Sequence, residues 1–173
     1  MTIKLARLVQ WAATAWLIAL PLGAVYVLTD IDVLIRLAQR NLGLPIQWFS
    51  VDTWQWYAVW AATLGYLAIG YWGVYYLRRA FASFARGQWF DKDNSRSLRL
   101  FAIFLVTQGL AKPLHFGACS VLLSWNHPAG ERMLSLSAGS NELVLIVSGL
   151  VVWVLADLLL AGIEADTENR QFV

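Results

Sequence analysis

Four long apolar stretches dominate the chain, at 8–28, 53–77, 100–125 and 143–163. Each has about the 20 residues that an α-helix needs to cross the hydrocarbon of a bilayer, and the polar residues gather between them. The pattern predicts four membrane-spanning helices. The first stretch carries no charge and is preceded by Lys4 and Arg7 and followed by Asp30 and Asp32. It is too long for a signal-peptide core, and no A-x-A site follows it, so it reads as a retained span. Pro21 and Gly23 are expected to bend its outer half.

Between the first and second spans the period changes. Ile31, Leu34, Ile35, Ala38 and Leu42 fall on one helical face, with Asp32, Arg36, Gln39 and Arg40 on the other. Asp30 or Asp32 can cap this helix, and Gly43 and Pro45 stop it. The expectation is a short amphipathic helix in the first outer loop, lying on the membrane surface as a cap over the bundle. Trp48, Phe49, Trp54 and Trp56 follow at headgroup level. In the second span Gly65, Gly70 and Gly73, with Ala58, Ala61, Ala62 and Ala68, allow close helix approach; the face is read as a packing surface, with a ligand cavity as the other option. Residues 80–86 extend this helix past the membrane, Gly87 ends it, and Asp91, Asp93 or Asn94 caps the third. Asn126 to Asn141 is a short polar outer loop, and Ser140 or Asn141 caps the fourth helix.

Composition fixes the class. The chain is 59% apolar and 14% charged, far from the roughly one-quarter charged usual in soluble domains. The fold class is therefore all-α: an integral membrane four-helix bundle of two helical hairpins, with residues 1–173 a single domain. Lys4, Arg7, six residues of the turn after span two and Arg170 make nine basic residues on one side, against Arg36, Arg40 and Arg132 on the other. Such a bias puts the basic side in the cytoplasm, so both termini are expected inside. The pI of about 8.9 does not signal nucleic acid, because the charges sit at helix ends. The expected partners are the lipid bilayer and a membrane or cytoplasmic protein, or a second copy of the chain. One cysteine, Cys119, makes neither an intrachain disulfide nor a metal cluster and reads as a buried hydrophobe. No cofactor or metal is implied.

The third span holds an unusual stripe. At about 100° per residue, Gln108, Lys112, His115, Cys119 and Asn126 share one side of it. A charge in hydrocarbon is costly, so this side must face protein or water. Asp157, in the fourth span, is the other deep charge and is expected to pair with Lys112, with Gln108 between. The cluster Gln108, Lys112, His115 and Asp157 reads as a polar clasp that sets helix register, or as a lysine that finds the Gly109 carbonyl to which Pro113 cannot donate, or as a proton- or ion-responsive relay. Nothing resembles a nucleophile with its base and orienter, nor a metalloprotease motif, so an enzyme is not expected.

A short repeat follows spans two and four. Gly87-Gln-Trp-Phe90-Asp91-Lys-Asp93-Asn94 and Gly162-Ile-Glu-Ala-Asp166-Thr-Glu168-Asn169 share the pattern G-x-x-x-D-x-[DE]-N. Similar capping chemistry at two helix ends explains it, and so does duplication of a hairpin. Either way two acidic turns are expected side by side at the inner surface. Arg78, Arg79, Arg86, Arg96 and Arg99 beside them suit anionic lipid headgroups, or serve the topology alone.

The Gly87…Phe90…Asn94…Leu98 pattern and the ending Ala161-Gly162-Ile163-Glu164…Glu168-Asn169…Val173 resemble small bacterial four-span membrane proteins of the YoaS type, a family without assigned activity. The resemblance covers nearly the whole chain and implies an inner-membrane location. Its members are similar to proteins encoded beside helix-turn-helix regulators, which implies a regulatory or stress role. The Trp-rich outer half departs from the family. The expectation is a non-enzymatic regulatory or partner-docking module acting through its cytoplasmic turns. The alternative is a small transporter or ion-responsive protein using the stripe.

Overall fold

A computed structural model describes residues 2–43, 46, 50–89, 91–128 and 130–171, with backbone only at 2, 28, 31, 41, 42 and 168–171. Expectations for Pro45, Trp48, Phe49, Phe90 and Val173, and for the side chains of Ile31, Leu42, Glu168, Asn169 and Arg170, lie outside the described residues. The chain is all-α: α1 (Thr2–Thr29), α2 (Ile31–Leu42), α3 (Thr53–Phe84), α4 (Lys92–Leu123) and α5 (Ser140–Gln171). Helices over Ile3–Val27, Lys92–Leu123 and Ser140–Thr167 are long and apolar enough to cross a membrane. α3 is not among these three; it is uncharged over 53–77, but its tyrosines and glycines lower its hydropathy.

Local signals set the helix ends. Asp30 accepts the Asp32 backbone N–H at 2.9 Å to cap α2, and Gly43 at φ 56° ends it. Asp91 accepts from the Asp93 N–H at 3.0 Å to cap α4. Gly87, at φ 82°, turns the chain between α3 and α4 in a conformation that a side chain would strain. α1 runs unbroken past Pro21, and α4 past Pro113.

The helices form an open row. α1 packs on α3, α3 on α4 and α4 on α5; among the described residues no comparable contact joins α1 to α5. Close approach explains the α4–α5 joint. A Cβ at Gly149 would lie 2.9 Å from the Ala102 carbonyl oxygen and 2.7 Å from Val106 Cγ2. Gly149→Ala should therefore push α5 off α4 and destabilise the fold by about 1–3 kcal/mol, the range for overpacking, as read by thermal unfolding in detergent. Unchanged stability would mean that the two helices are not held this closely. α5 instead turns Leu143, Val147, Leu150, Val154 and Leu158 outward, a face suited to lipid.

The register of α5 is the main departure from expectation. Ser95 Oγ donates to the Ala156 carbonyl at 2.7 Å, Gly149 faces Ala102, and a Cβ on Gly109 would stand 3.0 Å from the Glu142 carbonyl. The first turn of α5 thus lies beside Gly109, fourteen residues and about 21 Å short of the C-terminal end of α4. The connection is not a short loop clear of the helices. It folds back along α4, held by hydroxyls one turn apart: the Met133 N–H donates to Ser124 Oγ and the Ser135 N–H to Ser120 Oγ, both at 2.9 Å. Backbone that cannot form a helix ladder needs such partners.

The end of the molecule that carries α2 has a small core of its own. Ala38 of α2, Ile46, Trp56 and Val59 of α3, and Cys119 and Leu123 of α4 are buried together. Cys119 is 1% exposed, as expected of a thiol acting as a small hydrophobe.

Candidate functional site

The polar stripe of α4 is divided between two neighbours. Gln108, His115 and Cys119 turn toward α3. The Gln108 amide lies against Gly70, where a Cβ would meet its Oε1 at 2.6 Å. His115 stacks on Tyr66, with ring centroids 4.9 Å apart. Its Nε2 lies 3.1 Å from Thr63 Oγ1 and 3.4 Å from Cys119 Sγ. Thr63 also donates to the Val59 carbonyl at 2.8 Å. A hydroxyl has one proton to give, so the arrangement that satisfies both contacts has His115 donating to Thr63.

Lys112 turns the other way, to α5. Its ammonium pairs with Glu142 Oε1, and Glu142 Oε2 accepts from the Gly139 N–H at 2.7 Å. The carboxylate thus caps the start of α5, where the helix dipole favours a negative charge. Its side chain is 8% exposed, that of Lys112 40%. A cleft of about 550 Å³ opens beside the pair, lined by Gly109, Leu110, Pro113, Gly139, Leu143 and Ile146 among others.

Asp157 is not the partner of Lys112. It is exposed and follows Ala156, which lies against Ser95 near the N-terminal end of α4. Glu142 and Asp157 are fifteen residues apart on one helix, about 22 Å along its axis. The expected set Gln108, Lys112, His115 and Asp157 is therefore not one cluster but three separate environments.

The two G-x-x-x-D-x-[DE]-N stretches also differ. The first is a turn: Asn94 is 2% exposed, and its amide donates to the Gln88 carbonyl at 2.6 Å. Phe84 stacks on Trp89 at 5.2 Å above it. Asn94 therefore ties the turn together and is not offered to a partner. The second stretch is helix throughout. Gly162 lies inside α5, and Thr167 Oγ1 donates back to the Ile163 carbonyl at 2.8 Å. The repeat is one of sequence, and the expected pair of turns does not form. Glu164 and Asp166 are exposed on that helix.

The basic residues are largely engaged within the protein. Arg78 Nε donates to Thr14 Oγ1 at 2.8 Å and so joins α3 to α1. Arg79 pairs with Asp93 at 3.3 Å, Arg86 donates to Gln88 Oε1 at 3.3 Å, and Arg99 covers Trp153 at 5.1 Å. Arg96 lines a polar cleft with Tyr76, Arg79, Asp93 and Ser97.

One group escaped the sequence reading. Gln55, fully buried, donates to the Leu122 carbonyl at 2.5 Å and accepts from the Asp52 N–H at 2.7 Å. The Asn126 amide reaches Gln55 Oε1 and Asp52 Oδ2, both at 2.9 Å. Asn126 thus ends the stripe in a polar knot between α3 and α4. The capping-box spacing Asp52-x-x-Gln55 was the available signal.

Among the described residues no group of three or more His, Cys, Asp and Glu side chains is placed to hold a metal ion. Residues 40–172 match the family described as Protein of unknown function (DUF2975). No curated protein and no solved structure matches the chain.

Proposed function

The chain belongs to the DUF2975 family, and we propose that this member is a four-span protein of the bacterial inner membrane with both termini cytoplasmic. It is a non-enzymatic regulatory module that docks a partner protein at its inner face. Four spans are supported by α3, which is uncharged over 53–77 and packs between two of the apolar helices, α1 and α4. Nine basic residues against three support the orientation. The family match spans the first motif stretch used for the YoaS-type resemblance and all of the second but Val173, which supports that narrower kinship.

The observation that carries docking is the inner end of α5. From the level of Lys92, where α4 begins, α5 runs on as helix for about another 18 Å. Glu164 and Asp166 are exposed there, and a helix C-terminus adds negative potential. The partner surface is accordingly basic. A photo-crosslinking residue at Ala165 should capture one discrete cytoplasmic protein in cells. Glu164→Lys with Asp166→Lys should abolish that adduct with no change in the amount of folded protein. An adduct indifferent to this charge reversal would sink the reading.

A second reading, a small transporter or ion-responsive protein, is favoured by the Lys112–Glu142 pair opening on its cleft. Intramembrane ionisable groups of this kind often line ion or proton paths.

A further inference from the structure

The facing ends of α3 and α4 and the turn between them carry five arginines. Four are held within the protein: Arg78 by Thr14, Arg79 by Asp93, Arg86 by Gln88, and Arg99 over Trp153. Arg96 is different. It is exposed, and among the described residues it finds no hydrogen-bond, ion-pair or ring partner. It stands in a polar cleft of about 160 Å³ with Tyr76 and Arg79 of α3 and Asp93, Ser97 and Leu100 of α4. The Tyr76 ring is fixed by stacking on Phe104 at 5.9 Å, and its hydroxyl likewise has no partner among the described residues. Ser97 already donates to the Asp93 carbonyl at 2.7 Å. Arg79 reaches Asp93 through Nη2 alone, so the rest of its fork is uncommitted. Donors from two helices thus line one small space. A guanidinium fork matches the paired oxygens of a phosphate.

The lining narrows the anion. Two arginines less one aspartate leave it a net charge of +1. A phosphodiester carries a single negative charge, whereas a phosphomonoester carries about 1.5–2 and would be repelled by Asp93. The cleft is smaller than the about 300–1,000 Å³ of sites that enclose a small molecule, which suits a headgroup whose chains stay outside in the bilayer. Trp72 and Tyr75, exposed on α3 within a turn of Tyr76, are of the type that settles at headgroup level. Leu100 begins the apolar run of α4. We propose that this cleft holds the phosphodiester of an anionic lipid whose headgroup also bears hydroxyls, of the phosphatidylglycerol class. The phosphate oxygens accept from Arg96, Arg79 and Tyr76. A headgroup hydroxyl donates to Asp93, whose side chain is 65% exposed. Basic pockets between membrane helices recur as sites for such headgroups. The inference rests on the membrane reading above and is independent of partner docking on α5.

The test takes the full chain from the membrane fraction into mild detergent and counts bound probe by native mass spectrometry. The probes are dioctanoylphosphatidylglycerol, dioctanoylphosphatidylcholine, glycerophosphoglycerol as the same diester without chains, and inorganic phosphate. The phosphatidylglycerol should bind saturably at one per chain, and the other three far more weakly. Arg96→Gln should weaken it tenfold or more, the worth of a hydrogen bond to a charged group, and Tyr76→Phe about fivefold, that of an ordinary one. Arg86→Gln removes the same charge outside the cleft and should leave the affinity unchanged. Arg96 touches no described partner, so its variant should keep its helix content and thermal midpoint. A chain absent from the membrane fraction overturns the membrane reading and this inference with it. A membrane-borne chain that does not bind phosphatidylglycerol overturns this inference alone. So does equal binding of phosphatidylcholine, full affinity in Arg96→Gln, or an equal loss in Arg86→Gln. Binding of glycerophosphoglycerol or phosphate as tight as that of the lipid overturns the lipid source and makes the ligand a free phosphate compound.

Discussion

Lys112→Met will lower the thermal midpoint of the purified protein by several degrees, and adding Glu142→Leu will recover most of the loss. The Glu142 carboxylate is 8% exposed and holds two partners, the Lys112 ammonium and the Gly139 N–H. Taking away the lysine leaves a charge in a cleft lined largely by apolar groups, with only the start of α5 to stabilise it. Removing one partner of a buried pair is much worse than removing both. The converse change, Glu142→Gln alone, should do less damage. Lys112 is 40% exposed on its side chain and can turn its head toward a more polar depth. The signature is therefore an asymmetric double-mutant cycle, measured by unfolding in one detergent. Additive losses in the double variant would mean that the pair carries no coupling. A double variant that folds normally yet loses a proton- or cation-dependent response would favour the ion-responsive reading.

Much of this architecture was legible in the chain, and the failures share a cause. Asp30, Gly43, Gly87 and Asp91 stand where short-range capping rules put them, because a cap depends on residues two to four positions away. The polar side of α4 was likewise visible from helical spacing. Its partners were not. Pairing Lys112 with Asp157 assumed that Leu100 and Ile163 mark one level. Ser95 lies against Ala156, so the level of Leu100 is near Val151, and Ile163 is twelve residues, about 18 Å, further in. Hydropathy locates apolar windows along each helix. It does not set the sliding of one helix against another, which Gly109 and Gly149 decide by steric fit. The same shift explains the second motif. Its glycine was read as a helix end because the apolar run stops there, but glycine at Gly162 only weakens a helix, and α5 continues through it.

That inward shift also gives the α4–α5 hairpin two unlike ends. At the end where α4 stops, the segment after Arg132 is not helical, and Ser120 and Ser124 supply the hydrogen bonds that a helix ladder would have given. At its inner end α5 stands past its neighbour.

The end of the molecule that carries α2 should depend most on a single amide. Gln55→Leu will destabilise the protein by about 3 kcal/mol, since burying an unpaired group costs about 1–3 kcal/mol and this change strands more than one. The Leu122 carbonyl loses its 2.5 Å donor, the Asp52 N–H loses its 2.7 Å acceptor, and Asn126 loses one of its oxygens. Leucine fills much of the space, so little of the loss is cavity, and the measured deficit reports the stranded polar groups. For a chain of this length such a loss is roughly 6–12 °C in thermal midpoint. Asn126→Ala should cost far less, about 1 kcal/mol, because Asn126 is exposed and water can replace it at Asp52. Equal effects of the two changes would mean that the knot is held by Asn126 and not by the buried glutamine. An effect of Gln55→Leu below about 1 kcal/mol, the worth of one ordinary hydrogen bond, would mean that the ends of α3 and α4 are fixed by the apolar contacts of Trp56, Val59 and Leu123 alone.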